Sequence, residues 1–164
     1  MTAVAGPVKV VALDYSRTLT SADGPRDPTS GMRPVTDEAA EAVRALHGRG
    51  LTLLLASNTL TTRRPALECA GIADLFGGLI ESHALRAAKP DGRFYRAVLQ
   101  SAGCAPHEVL FVGANQVCDV TGPMEAGMQA ALIGAEPEPG VLPPAAHHLP
   151  TIADLPSLVE RLCG

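Results

Sequence analysis

The chain has 164 residues and a formal net charge of −4, and 46% of its residues are hydrophobic but only 3% aromatic. A chain of this length can bury the core of one ordinary domain, so we expect a single domain over residues 1–164. The absence of a basic block argues against a nucleic-acid partner, and no apolar run approaches the ~20 residues that a membrane-spanning helix needs.

Strand and helix patterns alternate along the chain, with strands indicated by apolar runs and helices by apolar residues at helical spacing. The first half of the chain is predicted to form a strand over residues 8–13, a loop over 20–35, a helix from the N-cap Thr36 to Gly48 or Gly50, a strand over 51–56 and a helix over 62–70. A strand from Leu79 follows a Gly77-Gly78 turn, and after it come a helix over 94–102, a strand over 109–112, a helix over 118–127 and a strand over 130–133. The chain then continues with a Pro-rich irregular segment over 135–150 and a helix over 155–162. This alternation predicts an α/β fold, a three-layer α/β/α sandwich around a parallel, Rossmann-like sheet. The loop over 20–35 is longer than most connections and is expected to act as a flap.

Polar residues stand where the predicted strands end. Asp14 follows the first strand, Ser57 and Asn58 follow the second, and Gly113 ends a later one, while Lys89 precedes a predicted helix. Open α/β sheets bind ligands at the carboxyl ends of their strands, so we expect these residues to lie close together. From its own segment alone, Asp14 is equally well explained as a residue that caps a turn.

These segments resemble the four motifs of the haloacid dehalogenase superfamily, in the same order and across nearly the whole chain. Residues 14–18 (Asp-Tyr-Ser-Arg-Thr) partly match the family's Asp-x-Asp-x-Thr motif. Ser57 matches the Ser or Thr of the second motif, Lys89 matches the Lys of the third, and residues 113–119 represent the Gly-Asp-x-x-x-x-Asp motif. The resemblance implies a haloacid dehalogenase-like hydrolase on a Rossmann-like sheet.

The resemblance also implies a magnesium-dependent phosphatase that acts on a phosphorylated substrate. Asp14 would attack phosphorus and form an aspartyl-phosphate, with Ser57 and Lys89 as the other catalytic residues. The phosphate-binding residues would be Ser57, Asn58 and Lys89, and the Mg²⁺ ligands would be Asp14, Ser16 through its carbonyl, Asp119 and Asn115. Such a site would supply the charge neutralisation and positioning that phosphoryl transfer requires.

Two positions depart from the family pattern. Ser16 occupies the place of the second Asp, the family's general acid and base, and positioned acid–base catalysis is worth roughly 10²–10⁴-fold in rate. Ala114 occupies the place of an acidic magnesium ligand, so we expect weaker metal binding. Two hypotheses remain: a slow or specialised phosphatase, or a catalytically impaired protein that binds a ligand or a partner protein through the same pocket. The hydrolase is favoured because the other motif residues are retained.

The segments between the motifs are short, which predicts that the protein lacks a cap domain. Capless members of the family tend to act on large substrates or to borrow a neighbour's surface, so the substrate's size and a homo-oligomer both stay open. Arg17 stands where the family prefers Gly, and it either meets an anionic ligand or forms a salt bridge across the mouth of the site. His147 and His148 would point to opposite faces of a strand, which disfavours a shared metal ion.

The cysteines and the N-terminus indicate a cytoplasmic protein. The cysteines lack the short paired spacings of zinc sites and of disulfide frameworks, and reduced thiols are the simpler interpretation. They are Cys69, Cys104, Cys118 and Cys163. Residues 1–7 lack the charged start and the long apolar stretch of a signal peptide.

Overall fold

Six parallel strands form one sheet within residues 7–163, the part of the chain that this computed structural model describes. The strands are β1 (Val10–Leu13), β2 (Thr52–Ser57), β3 (Phe76–Glu81), β4 (Val109–Gly113), β5 (Gln129–Ile133) and β6 (His147–Leu149). Their order is β3-β2-β1-β4-β5-β6, and every neighbouring pair is parallel. The winding reverses beside β1, and such a switch point is where open α/β sheets bind ligands. Asp14 follows β1 at this point.

Helices cover both faces of the sheet. They are α1 (Asp37–Gly48), α2 (Arg64–Cys69), α3 (Ser82–Leu85), α4 (Gly92–Ala102), α5 (Gly122–Glu125) and α6 (Leu155–Leu162), with short 3₁₀ turns between elements and a π-helical turn over Val117–Thr121. The predicted three-layer α/β/α fold is therefore confirmed. None of the helices in the described residues is long and apolar enough to span a bilayer. The expectation about a signal peptide concerns residues 1–7, of which 1–6 lie outside the described residues.

Successive residues of the central strands enter two different cores. In β1, Val11 and Leu13 belong to the core that α1, α2 and α6 close, whereas Val10 and Ala12 face α4. All four side chains are at most 3% exposed. Because side chains alternate across a strand and both faces are covered by helices, the strand is apolar throughout, as its sequence indicates.

The loop over residues 20–35 is tied to the body of the protein at its ends. Thr20 and Val35 form an isolated antiparallel bridge, and the carboxylate of Asp27 accepts two backbone N–H bonds that shape the turn between them. The side chain of Thr36 then accepts the N–H of Ala39 at 3.1 Å and caps α1, as predicted. The flap-like closure of this loop stays a prediction.

Two sheet-edge predictions were wrong. Gly77 and Gly78 do not form a turn before a strand but lie inside β3, at an edge of the sheet. Their small size has a packing reason, since a Cβ on Gly78 would lie 3.0 Å from the Ser101 hydroxyl. The segment over 135–150 is not wholly irregular, because its end, His147–Leu149, forms β6 and pairs with β5.

The predicted helix over 118–127 is divided in two. Its first part is the π-helical turn, and α5 follows from Gly122. Tyr95 of α4 causes close packing here: its hydroxyl donates to the Cys118 carbonyl at 2.6 Å, and a Cβ on Gly122 would overlap it at 2.1 Å. A π-helical turn is uncommon and frequently lies at a functional site, and this one carries Asp119.

Candidate active site

The carboxyl ends of β1, β2 and β4 surround a cleft of about 360 Å³. Segments that are far apart in the sequence therefore meet at the switch point of the sheet. The lining residues are Asp14, Ser16, Arg17, Asn58, Lys89, Ala114, Asn115 and Cys118. All four segments that the sequence singled out contribute to this cleft.

The Lys89 ammonium lies at the floor of the cleft with its side chain only 2% exposed. It donates to the Asp119 carboxylate at 2.7 Å and to the Ala56 carbonyl at 2.9 Å, and it lies 3.3 Å from Asp14 Oδ1. A buried charge is costly unless it is paired and hydrogen-bonded. These three oxygens, together with the ring of Phe111 at 5.3 Å, therefore hold the ammonium in one place.

The backbone of Lys89 is clamped by Asn58. The Asn58 amide donates to the Lys89 carbonyl at 2.9 Å, and its oxygen accepts the Lys89 N–H at 2.8 Å, across 31 positions in the sequence. Asn58 lines the cleft, but these two bonds occupy both polar atoms of its side chain. Ser57 is buried beside it at the end of β2, with 2% exposure. Their phosphate-binding roles stay predictions, and the geometry gives Asn58 a positioning role that the sequence did not reveal.

Asp14 is the carboxylate that opens onto the cleft. Its Oδ1 accepts the N–H of Tyr15 at 2.7 Å, and its side chain is 14% exposed. Burial raises the pKa of Asp14 to about 7, and the nearby Asp119 acts in the same direction, whereas Lys89 opposes both. Asp14 therefore shares one ammonium with a second carboxylate and titrates near neutral pH.

Asp119 lies behind Lys89 and is fully buried. Its Oδ1 accepts from Lys89, and its Oδ2 accepts the N–H of Asn115 at 3.0 Å. Gly113 makes room for it, since a Cβ there would lie 2.2 Å from Asp119 Oδ2. The side-chain oxygen of Asn115 in turn accepts the N–H of Cys118 at 2.9 Å. Two of the four predicted metal ligands, Asp119 and Asn115, are therefore engaged in other hydrogen bonds, and their coordination of Mg²⁺ is a prediction that this geometry disfavours.

The cleft does not fit a resident Mg²⁺ ion. Magnesium favours an octahedral set of oxygen ligands, usually with one or two carboxylates. Of the expected ligands, Asp14, Ser16 and Asn115 line the cleft, but the Asn115 side-chain oxygen already accepts from Cys118. Ala114 brings no oxygen in its side chain. Within residues 7–163 no group of three or more His, Cys, Asp or Glu side chains is arranged to hold a metal.

Ala114→Asp is expected to create a magnesium site, because it places a second carboxylate on the cleft wall that Asp14 lines. Calorimetric titration with MgCl₂ should give a Kd at least about tenfold lower than in the unchanged protein, which corresponds to ~1.4 kcal/mol of binding free energy. Ala114→Asn is the matched control of equal size and no charge. If the unchanged protein already binds Mg²⁺ as tightly as Ala114→Asp, the ligand argument is wrong.

A second network joins the turn after β1 to two loops. The buried Glu81 accepts the Thr62 hydroxyl at 2.8 Å and the Arg63 N–H at 2.7 Å, which fixes the segment after β2. The Arg63 guanidinium lies 5.3 Å over the ring of Tyr15, whose hydroxyl donates to the Arg33 carbonyl. Tyr15 thus connects the Asp14 turn to the loop over 20–35. Sequence reasoning missed Glu81, since nothing in its own segment marks it.

The sequence profile of one hydrolase family, described as haloacid dehalogenase-like hydrolase, matches residues 27–127. The chain belongs to this family. Human haloacid dehalogenase-like hydrolase domain-containing protein 3 is 30% identical over 129 residues, which are 72% of this chain and 51% of that protein. The phosphoserine phosphatase of Thermus thermophilus is 35% identical over 108 residues, 64% of this chain and 43% of that enzyme. The chain therefore spans about half the length of these relatives.

A solved structure shows the same fold over almost the whole chain. An uncharacterised protein from Listeria monocytogenes superposes with a TM-score of 0.77 at 23% identity, covering 94% of this chain and 98% of that one. The predicted family membership is thereby confirmed by sequence and the fold by structure. Asp14 precedes the residues that the family profile matches, so its assignment depends on the geometry of the cleft.

Proposed function

We propose that this haloacid dehalogenase-like hydrolase is a phosphatase that acts through an aspartyl-phosphate on Asp14. The observation that carries the proposal is the arrangement at the switch point of the sheet, where a partly exposed carboxylate has the buried Lys89 ammonium 3.3 Å behind it. A phosphoserine phosphatase among the relatives supports the substrate class. The proposed substrate is a phosphorylated small molecule or a larger phosphorylated partner.

The proposed reaction has two steps. An Asp14 oxygen attacks phosphorus, the bond from phosphorus to the leaving oxygen breaks, and the alcohol departs after taking up a proton. Water then attacks the phosphorus of the aspartyl-phosphate, which releases inorganic phosphate and regenerates the carboxylate. Lys89 supplies positive charge beside the reacting oxygens throughout, and the Asp119 carboxylate keeps it oriented. Because the oxygen atoms available in the cleft do not fit Mg²⁺, no step is assigned to a metal.

This mechanism has no carboxylic acid at position 16 to give a proton to the leaving alcohol. Ser16 lines the cleft where the family carries an acid, and a hydroxyl is a poor proton donor at neutral pH. Aryl phosphates, whose phenols leave readily without a proton, should therefore be better substrates than alkyl phosphates.

Ser16→Asp is expected to raise kcat/KM for an alkyl phosphate by about 10²-fold, since it supplies the missing general acid. The gain should be much smaller for an aryl phosphate with a good leaving group. Steady-state assays on the two substrates measure the gain in kcat/KM for each of them. Ser16→Asn serves as the control, because asparagine is neutral and equal in size to aspartate. Equal gains on both substrates would show that proton donation is not what Ser16 lacks.

The direct test of the proposed function is to trap the intermediate. Purified protein is mixed with an aryl phosphate, quenched in acid and digested, and mass spectrometry should find a phosphoryl group on the peptide that contains Asp14. Phosphate release with no adduct, or with an adduct on another residue, would contradict the nucleophile assignment.

A second candidate is a catalytically impaired protein that binds a ligand or a partner protein through the same cleft. The observation that favours it is the absence of a carboxylate side chain at Ser16 and at Ala114, both on the cleft wall. It predicts that inorganic phosphate binds in calorimetry while the unchanged protein and Asp14→Asn share the same background rate.

We further propose that the cleft works without a cap among the described residues. The connection from β1 to β2 holds the loop over 20–35 and α1, and the connection from β2 to β3 holds only α2 and one 3₁₀ turn. The cleft is therefore open to a large substrate or to a second copy of the chain.

The four cysteines are free thiols, which supports the proposed cytoplasmic location.

A further inference from the structure

Arg17 has a backbone conformation that L-residues rarely adopt. Its φ of 61° lies in the left-handed region, where a side chain crowds the following carbonyl oxygen. Its N–H donates to the Thr20 hydroxyl at 3.2 Å, so the turn itself holds this conformation. Glycine would occupy the position without strain. An arginine at this position therefore carries backbone strain that a glycine would avoid.

The Arg17 side chain lines the cleft and is exposed. It forms no ion pair and no side-chain hydrogen bond with any of residues 7–163, so the salt bridge across the mouth is not formed within them. Lys89, the other cation of the cleft wall, is already paired with Asp14 and Asp119. Arg17 is thus the cation of the cleft wall that is left for a ligand.

The charges at the floor of the cleft also leave a role for this cation. Two carboxylates, Asp14 and Asp119, share the single ammonium of Lys89 at the floor, so Lys89 has no positive charge to spare for a ligand. A phosphomonoester is itself anionic, so its approach is opposed unless another positive group meets it. The Arg17 guanidinium on the cleft wall is such a group.

We propose that Arg17 is a specificity-determining residue that binds a second anionic group, a carboxylate or another phosphate, on the phosphomonoester substrate. This inference rests on the proposed phosphatase function. The reacting phosphoryl group must reach Asp14 at the floor, whereas the exposed Arg17 lies towards solvent, where the rest of the substrate extends. Its planar guanidinium matches a carboxylate or phosphate through two parallel hydrogen bonds.

The test compares two aryl phosphates that differ in one group, phenyl phosphate and the same ester with a carboxylate para to the phosphate. Arg17→Gly should lower kcat/KM for the carboxylated ester by about tenfold or more, and for phenyl phosphate by less than about threefold. Arg86→Gly is the matched control, because Arg86 is also exposed and also left-handed, with φ of 59°, but lies outside the cleft. It should leave both rates unchanged and shift Tm by about the same small amount as Arg17→Gly.

Binding of the two esters to Asp14→Asn protein separates this inference from the proposed function. Calorimetry should show that the carboxylated ester binds more tightly and that adding Arg17→Gly removes the preference, whether or not the unchanged protein turns either ester over. Absence of turnover with this preference intact would reject the phosphatase and leave the anion site in place. Equal losses on both esters, or no loss on either, would overturn the role proposed for Arg17.

Discussion

Asp14→Asn is expected to lower kcat for an aryl phosphate by at least about 10³-fold, because an amide cannot form the aspartyl-phosphate. The change hardly alters the shape of the side chain, and the amide oxygen can still accept the Tyr15 N–H that orients it. Phosphate release under saturating substrate measures the loss. Asp74→Asn, an exposed carboxylate that does not line the cleft, is the matched control and should keep full activity.

The same variant is expected to be more stable than the unchanged protein at pH 8. The folded-state pKa of Asp14 is raised to about 7 from the ordinary 3.8, so between these values the folded protein holds a proton that the unfolded chain has lost. The free energy of unfolding therefore falls as the pH rises from about 4 to about 7, by at most about 4 kcal/mol. Asparagine has no such cost, so the variant's advantage should be present at pH 8 and absent near pH 4.

Urea unfolding at the two pH values measures this difference. A variant that loses both turnover and stability at pH 8 would mean that Asp14 is a structural carboxylate. A variant that keeps its turnover would reject the nucleophile assignment. Only the combination of lost turnover and gained stability agrees with a carboxylate held at a cost in free energy for its chemistry.

The central strands could be predicted because their local sequence is sufficient. β1, β2 and β4 are buried on both faces, so an unbroken apolar run identifies each of them. The outer strands carry no such signal. Gly77 and Gly78 are usual turn residues, and only close packing against Ser101 and Thr52 explains their place in β3. The three residues of β6 are too few for a pattern and depend on pairing with β5.

The charged centre of the site could be predicted for a related reason. Asp14 is conspicuous because a carboxylate follows a buried strand, and Lys89 is identified by its match to the third motif of the family. The contacts that orient them could not be predicted, since Asn58 reaches Lys89 across 31 residues and no local pattern records that pairing. For Asp119 the sequence indicated a functional carboxylate but not its complete burial, which turns an expected metal ligand into the partner of a lysine.

Lys89→Met is expected to have the largest effect on stability together with a loss of turnover. It removes the ammonium between Asp14 and the fully buried Asp119, and breaking a buried ion pair from one side costs about 3–5 kcal/mol. For a chain of this size that corresponds to a fall in Tm of roughly 10 °C. Lys9→Met is the matched control, because the Lys9–Glu108 pair is surface-exposed on the lysine side and should contribute no more than ~1 kcal/mol.

The double variant Lys89→Met with Asp119→Asn separates the two roles of the lysine. Asparagine keeps an oxygen for the Asn115 N–H but removes the buried charge that the lysine neutralised, so most of the lost stability should return. Turnover should not return, because the positive charge beside Asp14 is still missing. Thermal melts and phosphate release on the single and double variants complete the cycle. If stability does not recover, Asp119 is not held by Lys89; if turnover recovers, Lys89 serves the fold and not the reaction.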